Sequence, residues 1–266
     1  MDMLKHFIKS SPAMASIIIT FFSVGLLFVA KAFEADPNPL FNWPRLAVLT
    51  LISLAVIHLL KALKWQTKAG LMLPIPLWQG RWLLASIPLL LIALLSLTSV
   101  SWQAVEYSPI RLFAWLTSNF ATGFFEEVLM RGLCFYMLLR KWGSTQKGVF
   151  LAVLFQAFIF GAAHLANLYH MPMIDVIAQV IFATLIGIGF AGLVYLSKSL
   201  WPAIIVHTAI NSFGTINDFF VTNSQGFESP GVTAYVIIVA LFLVLSTIPG
   251  LFYLRAGTSR LPAAQV

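Results

Sequence analysis

The sequence predicts an all-α integral membrane protein, a polytopic helical bundle of about eight transmembrane helices, and three observations carry that expectation. Charge is scarce, apolar runs recur at the length of a bilayer crossing, and Lys and Arg sort to alternate loops.

Hydrophobic residues make up 60% of the 266 positions and charged ones only 9%, with a mean hydropathy of +0.92. A soluble domain carries about a quarter charged residues. A chain this poor in charge lacks the polar surface to face water, so its main solvent is lipid. There every backbone N–H and C=O needs an internal partner, which leaves helices or closed barrels. The runs here are about 20 residues long rather than the ~10 of barrel strands, so helices are expected.

In order, the spans run from Ala13 to Phe33, Arg45 to Leu63, Trp82 to Val100, Leu112 to Leu139, Gly148 to Asn167, Ile174 to Ser197, Trp201 to Asn217 and Thr233 to Leu254. Turn and helix-start signals punctuate them: Asp36-Pro-Asn-Pro, Pro74-Ile-Pro76, Ser108-Pro109, Met171-Pro172, Trp201-Pro202 and Ser229-Pro230-Gly231. Lys5, Lys9 and the Ala30-Lys31-Ala32 triplet imitate a signal peptide, but the stretch from Ala13 to Ala30 exceeds the ~7–15 residues of its apolar region. A retained first span is expected.

Charge placement tests the count. Lys5, Lys9, Lys61, Lys64, Lys68, Arg81, Arg140, Lys141, Lys147, Lys198, Arg255 and Arg260 fall on one face, opposed only by Asp2. The other face holds Glu34, Asp36, Glu106, Asp175, Asp218 and Glu228 against Lys31, Arg45 and Arg111. Cytoplasmic loops hold the Lys/Arg excess, so both termini are expected in the cytoplasm, and the expected location is the plasma membrane of a prokaryote. The net charge of +7 then reflects loop orientation, and nucleic acid is not an expected partner. The single cysteine, Cys134, lies inside an apolar run and is read as a packing residue. Residues 1–266 read as a single membrane domain.

Three charges remain deep in apolar sequence: Glu126, Glu127 and Arg131. Facing lipid at mid-helix, each would cost at least about 2.5–3.5 kcal/mol, so they face the bundle interior or a wet cavity. Glu127 and Arg131 are four apart and share a helix face, which allows a direct ion pair. Glu126 sits about 100° round the helix and is left for another task. Two further helices bring imidazoles, His164 four residues after Phe160 and His207 four residues before Asn211. Two carboxylates, two imidazoles and an amide on three helices form the inventory of a water-activating site. Peptide hydrolysis needs a base for water, donors for an oxyanion and a proton for the leaving amine. A carboxylate held out of bulk water is a stronger base than in solution, and Glu126 is the candidate. His207 and Asn211 are candidate oxyanion donors, and His164 a candidate for orienting the water. Two histidines and a glutamate also have the chemistry to ligate a divalent metal such as zinc, with His164 and His207 as ligands. The H-E-x-x-H motif is absent, so the sequence does not establish a metal.

Glu126-Glu127-Val-Leu-Met-Arg131, Phe160-Gly-Ala-Ala-His164 and His207-Thr-Ala-Ile-Asn211 read as E-E-x-x-x-R, F-x-x-x-H and H-x-x-x-N in succession. In that order they resemble the CPBP family, the CAAX proteases and bacteriocin-processing proteins related to the type II CAAX prenyl endopeptidase. The resemblance covers residues 112–217 and implies an intramembrane endopeptidase with these seven residues in a catalytic core. It implies metal dependence or a glutamate-activated water without metal. It also implies a peptide or protein substrate, which a prenylated C-terminus, a leader peptide or a membrane protein would each satisfy.

Two rival classes share these residues: a transporter or proton-coupled carrier, and a non-enzymatic immunity or scaffold protein. Gly187-Ile-Gly189-Phe-Ala-Gly192 spells G-x-G-x-x-G inside an apolar span with no preceding strand, so it is read as helix packing rather than a nucleotide site. No G-x-S-x-G elbow is present.

Overall fold

The computed structural model describes residues 2–34, 40–79, 81–221 and 231–258. Asp36, Glu228, Arg260 and the signals at Asp36-Pro-Asn-Pro and Ser229-Pro230 lie outside the described residues. Within them the chain is helical: α1 (Asp2–Ser10), α2 (Pro12–Lys31), α3 (Trp43–Ala62), α4 (Trp82–Ser96), α5 (Pro109–Glu127), α6 (Tyr136–Trp142), α7 (Gln146–Ala163), α8 (Met173–Ser197), α9 (Trp201–Gly214), α10 (Ile216–Phe220), α11 (Gly231–Phe242) and α12 (Ile248–Thr258). Extended pairing among the described residues is limited to an isolated bridge between Val105 and Val221. The protein is a polytopic helical membrane bundle.

Several starts follow from capping. Pro12, Pro44, Pro109 and Pro202 occupy first-turn positions, where a missing N–H costs nothing. The Asn42, Ser108 and Thr145 side chains accept from the backbone N–H three residues on. Among the described residues six helical stretches are long and apolar enough to cross a membrane: Pro12–Lys31, Trp43–Ala62, Trp82–Ser99, Gln146–Tyr169, Met173–Ser197 and Gly231–Gly257. The two remaining expected spans fall short of that standard for reasons that matter to the site. The fourth carries the buried charges. It runs as α5, a π-helical stretch Val128–Phe135 and α6, longer at both ends than the expected Leu112 to Leu139. The seventh, α9, has 14 residues and ends at Gly214 rather than Asn217, so it rises only ~21 Å.

Loop contacts sort the ends as the charge count does. Lys31 lies 4.9 Å from the Tyr169 ring, and Glu106 N–H donates to Phe220 O at 2.7 Å. At the opposite end Arg140 lies 5.0 Å from the Trp65 ring, and Lys68 and Lys198 line one cavity.

α8 is the central helix, with nearly every residue from Ile186 to Ser197 buried. The G-x-G-x-x-G segment lies there and serves close packing: a Cβ on Gly192 would stand 2.5 Å from Gly250 O of α12. Cys134 is fully buried, its Sγ 3.7 Å from Thr20 Oγ1 of α2. That contact, with the buried Ala15, Ser16, Thr20 and Ser23, seats the first span against the π-helical stretch.

Candidate active site

Glu126 and Glu127 are the last two residues of α5, and Arg131 follows in the π-helical stretch. π-helical turns inside α-helices concentrate at functional sites. Arg131 Nη1 donates to Glu127 Oε1 at 2.8 Å, with both side chains fully buried, as the four-residue spacing predicts.

α9 crosses α5 closely enough to complete the cluster. A Cβ on Gly123 would lie 2.9 Å from Thr208 Oγ1 and 3.1 Å from Thr208 N, so a side chain here would push the two helices apart or displace Thr208. One residue away, His207 Nδ1 donates to Glu127 Oε1 at 2.7 Å, while Nε2 stands 3.4 Å from Glu126 Oε2. Each ring nitrogen therefore faces a different carboxylate. Glu126 is the more open of the two, its side chain 22% exposed against 0% for Glu127.

His207 reaches this depth because the turn before its helix is recessed. Ser197, Ser199 and Leu200 are fully buried beneath the loop joining α3 to α4. Backbone bonds stitch that loop to the turn, Leu200 N–H to Gly70 O at 3.1 Å and Gln79 N–H to Ser197 O at 2.9 Å. Trp201 Nε1 adds a bond to Leu71 O at 3.0 Å.

Aromatic rings close the walls. Phe190 stacks on His207 with centroids 4.9 Å apart and planes 20° apart. The Arg131 guanidinium lies 4.6 Å from the Phe160 centroid and 5.1 Å from that of Phe190. A cation between two ring faces in a dry interior is a favourable arrangement. Gly187 O accepts from Gln156 Nε2 at 3.0 Å and, more weakly, from Arg131 Nη2 at 3.4 Å.

Of the seven residues expected at the site, Glu126, Glu127, Arg131, Phe160 and His207 come together directly. His164 sits at their border. It opens the 3₁₀ turn His164–Tyr169 after α7, packs edge-on to Phe160 at 5.1 Å, and bonds through Nδ1 to Phe160 O at 2.9 Å. A carbonyl only accepts, so Nδ1 donates this bond and Nε2 is the ring nitrogen left toward the site. Asn211 lies one turn beyond His207 on α9, half-buried, and its side chain bonds nothing among the described residues.

Among the described residues no three of His, Cys, Asp and Glu form a set able to hold a metal. A catalytic zinc takes three protein ligands, and here Glu127 is committed to Arg131 and His207. As placed, His164 and His207 are not gathered with a third donor into such a set, so this arrangement does not by itself form the expected metal site.

Phe190 and Gln156 belong to the site and were not expected there. Gln156 left a signal: it precedes Phe160 by four residues and His164 by eight, one polar stripe along α7. Phe190 left none, because its place inside the glycine-rich segment marks it only as packing.

A helical membrane bundle that seals a carboxylate, a guanidinium and an imidazole beside a second, open carboxylate belongs to the class of proteins that do polar chemistry within the bilayer. Residues 108–213 match the family model described as type II CAAX prenyl endopeptidase Rce1-like, and over that stretch the match supports the CPBP/CAAX protease family. The match contains all seven expected residues and both additional ones. At the level of the family the match supports a CAAX-type intramembrane protease, and that family implies a peptide or protein substrate in a membrane. No curated protein and no solved structure matches the chain.

Proposed function

We propose that the protein hydrolyses a peptide bond with a water activated by Glu126, on a prenylated, leader-peptide or membrane-protein substrate, from a bundle with both termini in the cytoplasm. The observation that carries this reading is the asymmetry of the acidic pair. Glu127 is fully buried and shared between Arg131 and His207, whereas Glu126 is partly open and touches the same histidine.

The Glu127 carboxylate fixes the His207 ring through Nδ1, leaving Nε2 directed at Glu126. This is the orienting relation that a buried carboxylate has to a catalytic histidine. Glu126 takes a proton from a water whose position the His164 Nε2 lone pair helps to fix. The water oxygen bonds to the substrate carbonyl carbon, and the π electrons move onto the carbonyl oxygen. Protonated His207, through Nε2, and the Asn211 amide donate to that oxyanion. On collapse the C–N bond breaks, and Glu126 returns its proton to the leaving amine. Water is consumed, and the site ends as it began. Phe160 and Phe190 touch no reacting atom; they hold the imidazoles and keep the guanidinium dry.

The test is cleavage of a quenched, prenylated CAAX-type peptide by purified protein in detergent. Wild type is expected to turn over, and Glu126→Gln to lose about 10²–10⁴-fold in kcat at unchanged thermal stability. Cleavage preserved in Glu126→Gln overturns the assignment of the base. A folded wild type that cleaves leader-peptide or membrane-protein probes but not the prenylated peptide removes that substrate and keeps the chemistry.

A further inference from the structure

The reacting groups stand much nearer one face of the membrane than the other. Thr122 shares a helix face with Glu126, four residues earlier on α5 and about 6 Å nearer the start of that helix. The exposed Arg45, in the first turn of α3, reaches it, with Nη2 3.4 Å from Thr122 Oγ1. An exposed guanidinium is costly in hydrocarbon, so the level of Thr122 is that of headgroups or water. Beyond Glu126 the same helical run next meets exposed charge at Arg140 and Lys141, about 20 Å away.

The α7 side repeats the measurement. From His164 the 3₁₀ turn climbs about 10 Å to Tyr169, whose ring meets Lys31, while the exposed Lys147 lies about 25 Å the other way. Each pair of distances sums to roughly the 30 Å of a hydrocarbon core, which places the site about a quarter of the way in.

Burial follows the same slope. Toward the Lys/Arg-rich end every residue from Glu127 to Phe135 is buried, and Val153, Phe190, Leu193, Leu200 and Ala203 of the neighbouring elements have no exposure. The cavity at that end is lined by neither Glu126, His164 nor His207. Toward the other end the same helices turn polar, and Thr122, His164, Asn167, Thr184, Thr208 and Asn211 are only half-buried. Polar side chains bridge helices there, Asn119 Nδ2 to Thr215 Oγ1 at 3.0 Å and Asn167 Nδ2 to Gln179 Oε1 at 2.7 Å. Polar groups at such depth belong to a bundle interior that water reaches.

We infer that the site opens to the face opposite the Lys/Arg-rich loops, the extracytoplasmic one, and takes its peptide bond from a segment presented there. That narrows the substrate to an exported peptide or the outer juxtamembrane stretch of a membrane protein. The substrate class rests on the proteolytic reading above; the direction of opening does not.

Single cysteines are introduced into the full-length protein, and wild type, whose one cysteine is fully buried, sets the background. Intact spheroplasts and sealed inverted vesicles are treated with a membrane-impermeant sulfonated maleimide, and labelling is read as a mass shift. Thr122→Cys, and Ser118→Cys one turn further out, are expected to label in spheroplasts and to be protected in inverted vesicles. Gln103→Cys, in the exposed loop before α5, should behave likewise, and Ser144→Cys, exposed between α6 and α7, should do the reverse. The label on Thr122→Cys is also expected to cut kcat/KM at least about tenfold for whichever probe wild type cleaves, because it fills the approach to Glu126. Labelling of Thr122→Cys and Ser118→Cys from the inverted side alone, or from neither side, overturns the opening. Gln103→Cys that labels only in inverted vesicles overturns the extracytoplasmic face. Full kcat/KM with the label in place overturns the opening as the substrate's route. Labelling needs no turnover, so the direction of opening is decided even for a protein that cleaves nothing.

Discussion

Two halves of the site are built by opposite rules. In the closed half, Glu127, Arg131 and His207 are buried and bonded to one another, and the rings of Phe160 and Phe190 cover them. In the open half, Glu126 is partly exposed, His164 is half-buried with Nε2 left toward the site, and the Asn211 amide bonds nothing among the described residues. Polar groups that have found protein partners cannot easily bind substrate, and those that have not are costly unless a ligand completes them. The difference teaches where structure ends and reactivity begins: the closed half orients, and the open half is left with capacity for water and an oxyanion.

The largest effect is expected from breaking the closed half. Arg131→Met strands the Glu127 carboxylate in a dry interior, and losing one partner of a buried pair costs about 3–5 kcal/mol. The variant should melt far below wild type in detergent and show no cleavage. Arg131→Met combined with Glu127→Met removes both charges and should regain most of that stability without regaining activity. A double variant that cleaves would show that the closed half orients nothing.

The open half should respond in the reverse sense. Asn211→Ala is expected to leave the stability within about 1 kcal/mol of wild type, since its side chain has no partner to lose among the described residues. Removing one oxyanion donor typically costs about 10²–10³ in kcat, and KM should change little. A large drop in stability with normal kcat would move Asn211 into the closed half.

The sequence made the two halves unequally legible. Helix spacing alone pairs Glu127 with Arg131, because four residues bring side chains to one face. The fold class was equally plain, since charge scarcity and 20-residue runs leave helices as the only solution in lipid. The reach of His207 was legible only as an alternative, because depth counted from Trp201 places it nearer the membrane edge unless the Lys198-Ser-Leu-Trp-Pro202 turn is recessed into the bundle. The recessed turn at Ser197–Trp201 depends on a distant loop bonding through Gly70 and Leu71, a long-range contact no local pattern encodes. Phe190 was hidden for the same reason: stacking on His207 joins α8 to α9 across the bundle. Gln156 was visible in principle, as a polar residue one turn before Phe160 on the same face.

Phe190 sharpens the boundary between the halves. Of the site's polar groups its ring meets His207 and Arg131, both in the closed half, so it acts on the chemistry through their positions. Phe190→Leu should cost on the order of 1–2 kcal/mol in stability and about tenfold in kcat, with KM unchanged. Phe190→Tyr keeps the stacked face and should recover the activity if its hydroxyl is accommodated in the fully buried site. A loss confined to stability would make the ring core packing alone.

The smallest effect is expected from chelation. A metal would need donors drawn from both halves, and among the described residues no three such side chains are gathered to hold one. Prolonged exposure to 1,10-phenanthroline should therefore leave cleavage and melting temperature unchanged, measured beside a metal analysis of the same sample. Loss of activity restored by added zinc would break the comparison at its root. It would mean that His207 Nε2, still held by Glu127 through Nδ1, faces a metal rather than Glu126 alone, and that the closed half orients a ligand as well as a base.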